Sequence, residues 1–396
     1  MKCKITRKKI DPFMSFGRMP VANGFLRENQ FNNEFFFNME IGFSEDLSLL
    51  QLNEHPKPDM MFNENYPFFT GSSEQMKLHF KKYADWIKKY HPSKINNIIE
   101  IGSNDGTFLK NFITDDCNAL GFEPSKSVAD RAIENNIRTV NEFFNKNSAA
   151  SQKSFVNNTD LICAANVICH VPDLTNLIHS VDMLLNHKGL FVFEEPYLGS
   201  MFEKISYDQI YDEHIFIFSV TSVKKIFKLF DMELIDVYPQ VTHGGSMRYV
   251  IGRKNNHKIS NNVHIQLKNE RMNNLDNISS CNIFKKKCEL SKIKTREDLL
   301  KFKEDNYKIA GYAATSKSTT VLNYCNIDNK IIDYICDTTP EKIGKFSPGT
   351  HIPIVEMSHF KKFIPDVAYL FAWNHKDEIL AKEKKYKGKW FSHVSL

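Results

Sequence analysis

From residue 76 to residue 253, short apolar runs alternate with longer stretches of helical period. Met76, Phe80, Tyr83, Ala84 and Ile87 recur at the spacing of one helix face, with Ser73 placed to cap that helix. Strands are predicted at Ile98–Ile101, Ala119–Phe122, Leu161–Ala164 and Leu190–Glu194. Two more, Glu233–Val237 and Arg248–Ile251, flank the turn residues Thr242-His243-Gly244-Gly245. Alternation followed by a late hairpin predicts a parallel sheet with an antiparallel edge. The alternation restarts near residue 301. Strands are predicted at Ile309–Tyr312, Ile331–Cys336 and Val367–Phe371, and helices at Ser316–Asn323 and Lys376–Lys384. Residues 254–300 are Lys- and Asn-rich, reading first as linker and then as helix. Residues 1–75 are rich in Phe, Asn and Met and show only short strand-like pieces. The pattern therefore predicts an α/β protein in three parts: 1–75, 76–253 and 254–396.

A length of 396 residues suits two or three domains, and 42% hydrophobic residues suffice for packed cores. Lys and Arg total 52 against 47 acids, a formal charge of +5. So small an excess on so long a chain gives no electrostatic case for nucleic acid. The 8 cysteines form no paired framework, and several sit in apolar runs, as expected of reduced thiols. No apolar run reaches the roughly 18 residues that span a bilayer, and residues 1–30 hold no signal-peptide core. The expectation is a soluble cytoplasmic protein with no membrane partner.

The first chemistry-bearing stretch is Ile99-Glu100-Ile101-Gly102-Ser103-Asn104-Asp105-Gly106. A buried strand enters a tight polar turn, and a helix is predicted over Thr107 to Phe112. About twenty residues on, a second run (Leu120, Gly121, Phe122) ends in Glu123. Glycines let a backbone approach a nucleoside cofactor, and an acid at the next strand end accepts both ribose hydroxyls. The turn lacks the G-x-G-x-x-G spacing of dinucleotide sites, which disfavours a nicotinamide cofactor. Glu-x-Gly-x-x-x-Gly after a strand is instead the pattern of S-adenosylmethionine (SAM) methyltransferases. An ordinary strand-turn-helix joint is the alternative.

Three further clusters fall where an open parallel sheet places ligands, beyond the carboxyl ends of its strands. His170 lies in the loop Ala165–Asp173. Tyr207–His214 brings Tyr211, Glu213 and His214 into four residues and is the best acid–base candidate. A histidine takes a proton near neutral pH, a carboxylate can fix its tautomer, and a tyrosine can donate to a developing oxyanion. The third cluster, Thr242–Arg248, sets His243, Gly244 and Arg248 together, as an anion or sugar site or simply as a hairpin turn. In the last part, Gly311–Thr320 follows a strand and opens a helix. Its hydroxyls and Lys317 suit a phosphate but lack P-loop spacing. Asp337, at the next strand end, could meet a sugar or a base.

At these residues the sequence resembles the three-domain sugar C-methyltransferases of deoxysugar pathways. The resemblance rests on Pro20–Leu26, Tyr66–Ser73, Glu100–Gly106, Glu123-Pro124-Ser125, Ala165–Asp173, Tyr211–His214, Thr242–Arg248, Gly311–Lys317, Asn323-Tyr324, Pro348–Pro353 and Trp373-Asn374. It implies a small N-terminal zinc-binding-type domain, a class I SAM methyltransferase domain and a Rossmann-like C-terminal domain contributing to nucleotide-sugar binding. It implies a nucleotide-linked 4-keto sugar as substrate, methylated on carbon through an enolate. N- or O-methylation, or a non-catalytic relative, are the alternatives. It implies His214 as base, Glu213 as its orienting partner, Tyr211 and His170 as enolate stabilisers or proton shuttles, and Tyr66 closing over the sugar. Glu100, Gly102, Ser103, Asn104, Asp105, Gly106, Glu123, Pro124 and Asn166 are assigned to SAM. Ser73, His243, Gly244, Arg248, Tyr312, Lys317, Asn323 and Asp337 are assigned to the substrate, and the chain is expected to be a monomer or weak homodimer. One departure stands out. The family's zinc site uses two C-x-x-C pairs, but here Cys3 is followed at that spacing by Thr6, and 41–47 contain no cysteine. One thiolate cannot build a closed tetrahedral site, so no zinc is expected, with Phe35, Phe36, Phe37 and Phe43 packing in its place.

Overall fold

A computed structural model of the chain describes residues 1–62, 66, 68–113 and 116–396. Asn65 and Pro67 of the aromatic stretch before Ser73 lie outside the described residues. The N-terminal part contributes β1 (Pro12–Pro20), β2 (Phe36–Ser44) and β3 (Leu49–Leu52). The central part holds β4 (Asn97–Ile101), β5 (Asn118–Phe122), β6 (Thr139–Val140), β7 (Thr159–Ala165), β8 (Leu185–Pro196), β9 (Phe216–Ile217), β10 (Met232–Gln240) and β11 (Ser246–Arg253). The C-terminal part holds β12 (Ile309–Tyr312), β13 (Tyr334–Asp337), β14 (Ile354–Glu356), β15 (Val367–Leu370) and β16 (Lys389–Phe391).

The central sheet has seven strands in the order β10-β11-β8-β7-β4-β5-β6. β8, β7, β4, β5 and β6 run parallel, and the β10–β11 hairpin closes the edge antiparallel. Its inner strands read as near-continuous apolar runs because both faces are covered. Ile99, Ile101, Ile162 and Phe193 face one core, and Ile98, Leu161, Cys163 and Val192 face the other. The second core lies under the helix Glu74–Tyr90, which Ser73 caps by accepting the Met76 N–H at 3.3 Å. The C-terminal sheet is parallel throughout, in the order β14-β13-β12-β15-β16.

The N-terminal sheet is antiparallel, β1-β2-β3, with β9 as its fourth strand. That strand comes from the central part, two residues past His214. Its core also runs into the C-terminal part: Met14, Phe16, Phe37, Phe43 and Leu50 share one cluster with Val321, Leu322 and Tyr324. The rings of Phe16 and Tyr324 stand 4.7 Å apart.

Several expectations need correction. No α-helix follows the glycine turn; only the 3-10 turn Leu109–Asn111 forms there, after Gly106 reaches φ +78°. Residues 254–300 need none: a short linker gives way to the helices Asn261–Met272 and Ile278–Glu304, as expected. The strand predicted from Ile331 begins at Tyr334, because Ile331 and Ile332 close a turn on the Asp328 carbonyl. Of the four phenylalanines expected to fill the zinc site, Phe37 and Phe43 are buried, while Phe35 points out and Phe36 lies under Arg18.

Candidate active site

A cavity of about 1920 Å³ lies where the three parts meet. One end is the turn after β4, at the carboxyl edge of the central sheet, and the other is the loop after β12. Such crevices beyond strand ends are where α/β sheets hold ligands.

At the first end, Gly102 adopts φ +66°, and a Cβ there would fall 2.4 Å from Val167 Cγ2. The backbone thus passes close to the neighbouring loop, which only glycine allows. Glu123, at the end of β5, accepts the Asn104 N–H at 3.1 Å and the Ser125 N–H at 2.8 Å. Asn104 and Asp105 reach the N-terminal part, accepting the Thr70 N–H at 2.8 Å and the Gly71 N–H at 2.7 Å. Burial, together with Asp105 and Glu123, pushes the Glu100 carboxyl well above the usual range. Glu100 Oε2, Ser103 Oγ and Asn166 Oδ1 are buried without a hydrogen-bond partner among the described residues. Buried polar atoms are normally paired, so these three fit a polar guest. Pro124 also lines this end.

In the middle sit Tyr66, His170, Tyr211, Glu213 and His214, all lining the cavity. His214 Nδ1 is 2.6 Å from the Gln209 carbonyl oxygen, so Nδ1 carries the proton and donates. Nε2 is then an acceptor, and the Tyr211 hydroxyl donates to it at 2.8 Å. Burial first, then the neighbouring His170, holds His214 well below the ordinary imidazole range, so it is the neutral base form. Burial likewise takes His170 down to about 3, and its Nε2 has no partner. Tyr211 and Tyr66 are pushed well above the ordinary phenol range, by burial and then by Glu213, and are neutral donors.

Glu213 does not orient His214, contrary to expectation. Its Oε1 accepts the Asn23 side-chain N–H at 2.6 Å, and Asp212 beside it accepts the Ala22 N–H at 3.0 Å. Adjacent residues on this tight turn project apart, so the Gln209 carbonyl does the orienting. Burial raises both carboxyls, and Asp212 adds to the rise at Glu213.

At the far end, His243, Lys317 and Asp337 line the cavity, joined by Lys342, Asn374 and His375, which sequence reasoning missed. Lys317 is buried over the Trp373 ring and contacts Asn374 Oδ1 at 3.3 Å. Lys342 donates to the Ala314 carbonyl at 2.8 Å. Burial lowers the pKa of both lysines. Asp337 accepts the Ala314 and Thr339 N–H groups, each at 2.7 Å.

Five assigned substrate residues do not line this cavity. Arg248 is buried in the central sheet, paired with Glu194 and stacked on Tyr83 at 3.8 Å. Gly244 packs on Trp373, whose ring leaves no room for a Cβ. Asn323 donates to the Thr319 and Pro348 carbonyls. Tyr312 donates to Glu383 at 3.1 Å, and with the helix cap Ser73 lines a separate cleft of about 210 Å³. Each assignment took a residue near a strand or helix end for a cavity residue, when it serves the scaffold, four through their side chains and Gly244 through the room it leaves for the Trp373 ring.

Three family models match the chain in succession: a putative zinc binding domain over residues 3–62, a methyltransferase domain over 74–237 and a C-methyltransferase C-terminal domain over 241–394. The chain is 26% identical over 376 residues to C-methyltransferase NovU of Streptomyces niveus, covering 94% of this chain and 89% of that one. The chain belongs to the three-domain C-methyltransferases. As a member, it is a SAM-dependent methyltransferase. Among solved structures it is similar to the PH0226 protein of Pyrococcus horikoshii OT3, at 14% identity and TM-score 0.38. That match covers 47% of this chain and 95% of that one. A SAM-dependent methyltransferase of Clostridium acetobutylicum matches at 12% identity and TM-score 0.35, over 44% of this chain and 92% of that one. In this C-methyltransferase the zinc-type domain has a poor donor set. Cys3 is buried, its Sγ accepts the Thr6 N–H at 3.4 Å, and no three-donor group surrounds it among the described residues. No helix is long and apolar enough to cross a membrane among the described residues.

Proposed function

We propose that this enzyme methylates the carbon beside the keto group of a nucleotide-linked 4-keto sugar, with His214 as the base. The observation that carries the reading is the Tyr211–His214 pair. A proton-free imidazole nitrogen and a neutral phenol meet at 2.8 Å, midway along the cavity. Glu100, Gly102–Gly106, Glu123 and Asn166 hold SAM, which supplies an electrophilic methyl group. Carbon, unlike an amine or hydroxyl, is nucleophilic only after a proton leaves it, so this chain must supply a base and an oxyanion donor. On substrate binding the Tyr211 hydroxyl turns from Nε2 to the keto oxygen, and Nε2 takes the carbon-bound proton. The imidazolium and enolate form as a neutral pair, so the burial that disfavours a lone imidazolium does not oppose the step. His170 Nε2, buried without a partner among the described residues, is a second group for the oxygen.

The nucleotide lies toward the C-terminal part. Two lysines lining this end, Lys317 and Lys342, both lowered in pKa by desolvation, suit a diphosphate, as does the helix start at Thr315–Ser316. Nucleic acid and membrane have no place in this reading. The test is turnover of a panel of nucleotide sugars with SAM, read by mass for a methyl gain. Solvent deuterium exchange beside the keto group separates carbon from oxygen methylation. Methyl gain without exchange, or on an amine or hydroxyl, overturns the proposal.

A further inference from the structure

Cys169, His170 and His214 converge at the middle of the cavity, one donor atom from each lying within 4.8 Å of the others. Among the described residues this is the one group of three or more His, Cys, Asp or Glu donors so gathered. Two independent features point the group at a guest. Among the described residues His170 Nε2 is buried with no hydrogen-bond partner, and its ring stacks on Phe62 at 5.5 Å and His214 at 5.3 Å. His214, its proton fixed on Nδ1 by the Gln209 carbonyl, keeps a proton-free Nε2 whose partner is the Tyr211 hydroxyl at 2.8 Å, a contact that a stronger acid can displace. Cys169 is fully buried and has no part in the methyl transfer described above.

One sulfur and two imidazole nitrogens select a borderline-soft divalent ion, with Zn²⁺ foremost, over Mg²⁺ or Ca²⁺, which take oxygen ligands. We propose that Cys169, His170 and His214 form a zinc-class binding site inside the active cleft, its fourth position open to the cavity, and that occupancy reversibly turns the enzyme off. Zn–S near 2.3 Å and Zn–N near 2.0 Å put tetrahedral donors roughly 3.5 Å apart, so the trio must close by about 1 Å. The His170 ring, tied by no hydrogen bond at Nε2, is free to supply that movement. On binding, the Cys169 S–H bond breaks, a sulfur–metal bond forms and the proton leaves to water, while neutral His170 binds with its single ring proton on the nitrogen that faces away from the metal. The metal takes the Nε2 lone pair, and Tyr211 loses its acceptor. The site rests on the donor geometry alone, and the off state rests on the reading of His214 as the base.

The test uses the full chain, stripped with EDTA and titrated with Co²⁺, whose thiolate charge-transfer band reports sulfur ligation. One equivalent with that band is expected in the wild type and in Cys3→Ser, and none in Cys169→Ala. Cys169→Ser, closer in volume, guards against misfolding, which SAM binding by calorimetry also monitors. Absence of the band in the wild type, or its persistence in Cys169→Ala, overturns the site. Zn²⁺ should suppress deuterium exchange, EDTA should restore it, and Cys169→Ala should raise the inhibitory concentration at least tenfold with turnover retained. A charge-transfer band without inhibition leaves the site standing and overturns the off state. Loss of exchange in metal-free His214→Ala checks the base reading separately.

Discussion

Removing one oxygen, in Tyr211→Phe, separates the two jobs given to this side chain. Among the described residues the hydroxyl makes one 2.8 Å hydrogen bond, to His214 Nε2. A neutral bond of this kind contributes about 1 kcal/mol net, and the stranded nitrogen costs roughly 1–3 kcal/mol of desolvation. The variant should therefore fold, with stability lower by about 1–3 kcal/mol. The transition state is a different matter. Burial and Glu213 keep the phenol protonated, so it is a ready donor where the enolate oxygen gains charge. Losing one oxyanion donor costs roughly 2.7–4 kcal/mol, or about 10²–10³-fold in kcat. Deuterium exchange beside the keto group and methyl gain by mass should fall together by that factor, while SAM affinity by calorimetry stays within about threefold, or roughly 0.6 kcal/mol. If exchange and methylation both survive within about threefold, under 0.7 kcal/mol of barrier, Tyr211 is no oxyanion donor.

His214→Ala should abolish exchange and leave SAM affinity near normal; unchanged exchange removes it from the base role. Gly102→Ala forces a left-handed φ of +66° on a Cβ that meets Val167 at 2.4 Å. That conformation alone costs roughly 1–2 kcal/mol, so SAM should bind about tenfold or more weakly by calorimetry, and unaltered affinity refutes the close-approach argument. Glu213 has its folded pKa raised by burial and Asp212, so its contribution to stability is greatest at low pH and falls as pH rises through the raised value. Glu213→Gln should therefore gain thermal midpoint relative to wild type as pH goes from 5.5 to 8.5, and a pH-independent difference would sink the assignment. Elemental analysis should find no zinc that Cys3→Ser removes; stoichiometric zinc lost in that variant would restore the N-terminal site.

The positions of the strands were legible, though not their order in the sheet, because parallel, doubly covered strands leave bare apolar runs, as at Ile98–Ile101 and Leu161–Ala164. The glycine turn after β4 was legible because glycine spacing and Glu123 are local features. What escaped was set by contacts distant in sequence. Gln209 orients His214 through its carbonyl, and every residue has a carbonyl, so composition cannot flag it. Asn23 reaches Glu213 across 190 positions. Arg248 reads as an anion site beside two glycines, yet the fold turns it inward to Glu194 and the rings of Tyr83 and Trp86. Lys342 stands in a Lys-rich sequence, and only burial sets it apart.

β9, two residues long and just past His214, is stitched to β3 through Leu50↔Ile217 and Gln51↔Phe216. The loop that carries Tyr211 and His214 is therefore moored at its downstream end to the first sixty residues, which also bridge Leu26 to Phe346 in the C-terminal part. A protease nick at 53–57 should yield two fragments that co-elute and keep turning over, since noncovalent seams hold both. Expressing the chain from residue 76 onward should instead give an inert protein, even though every residue assigned to SAM is retained.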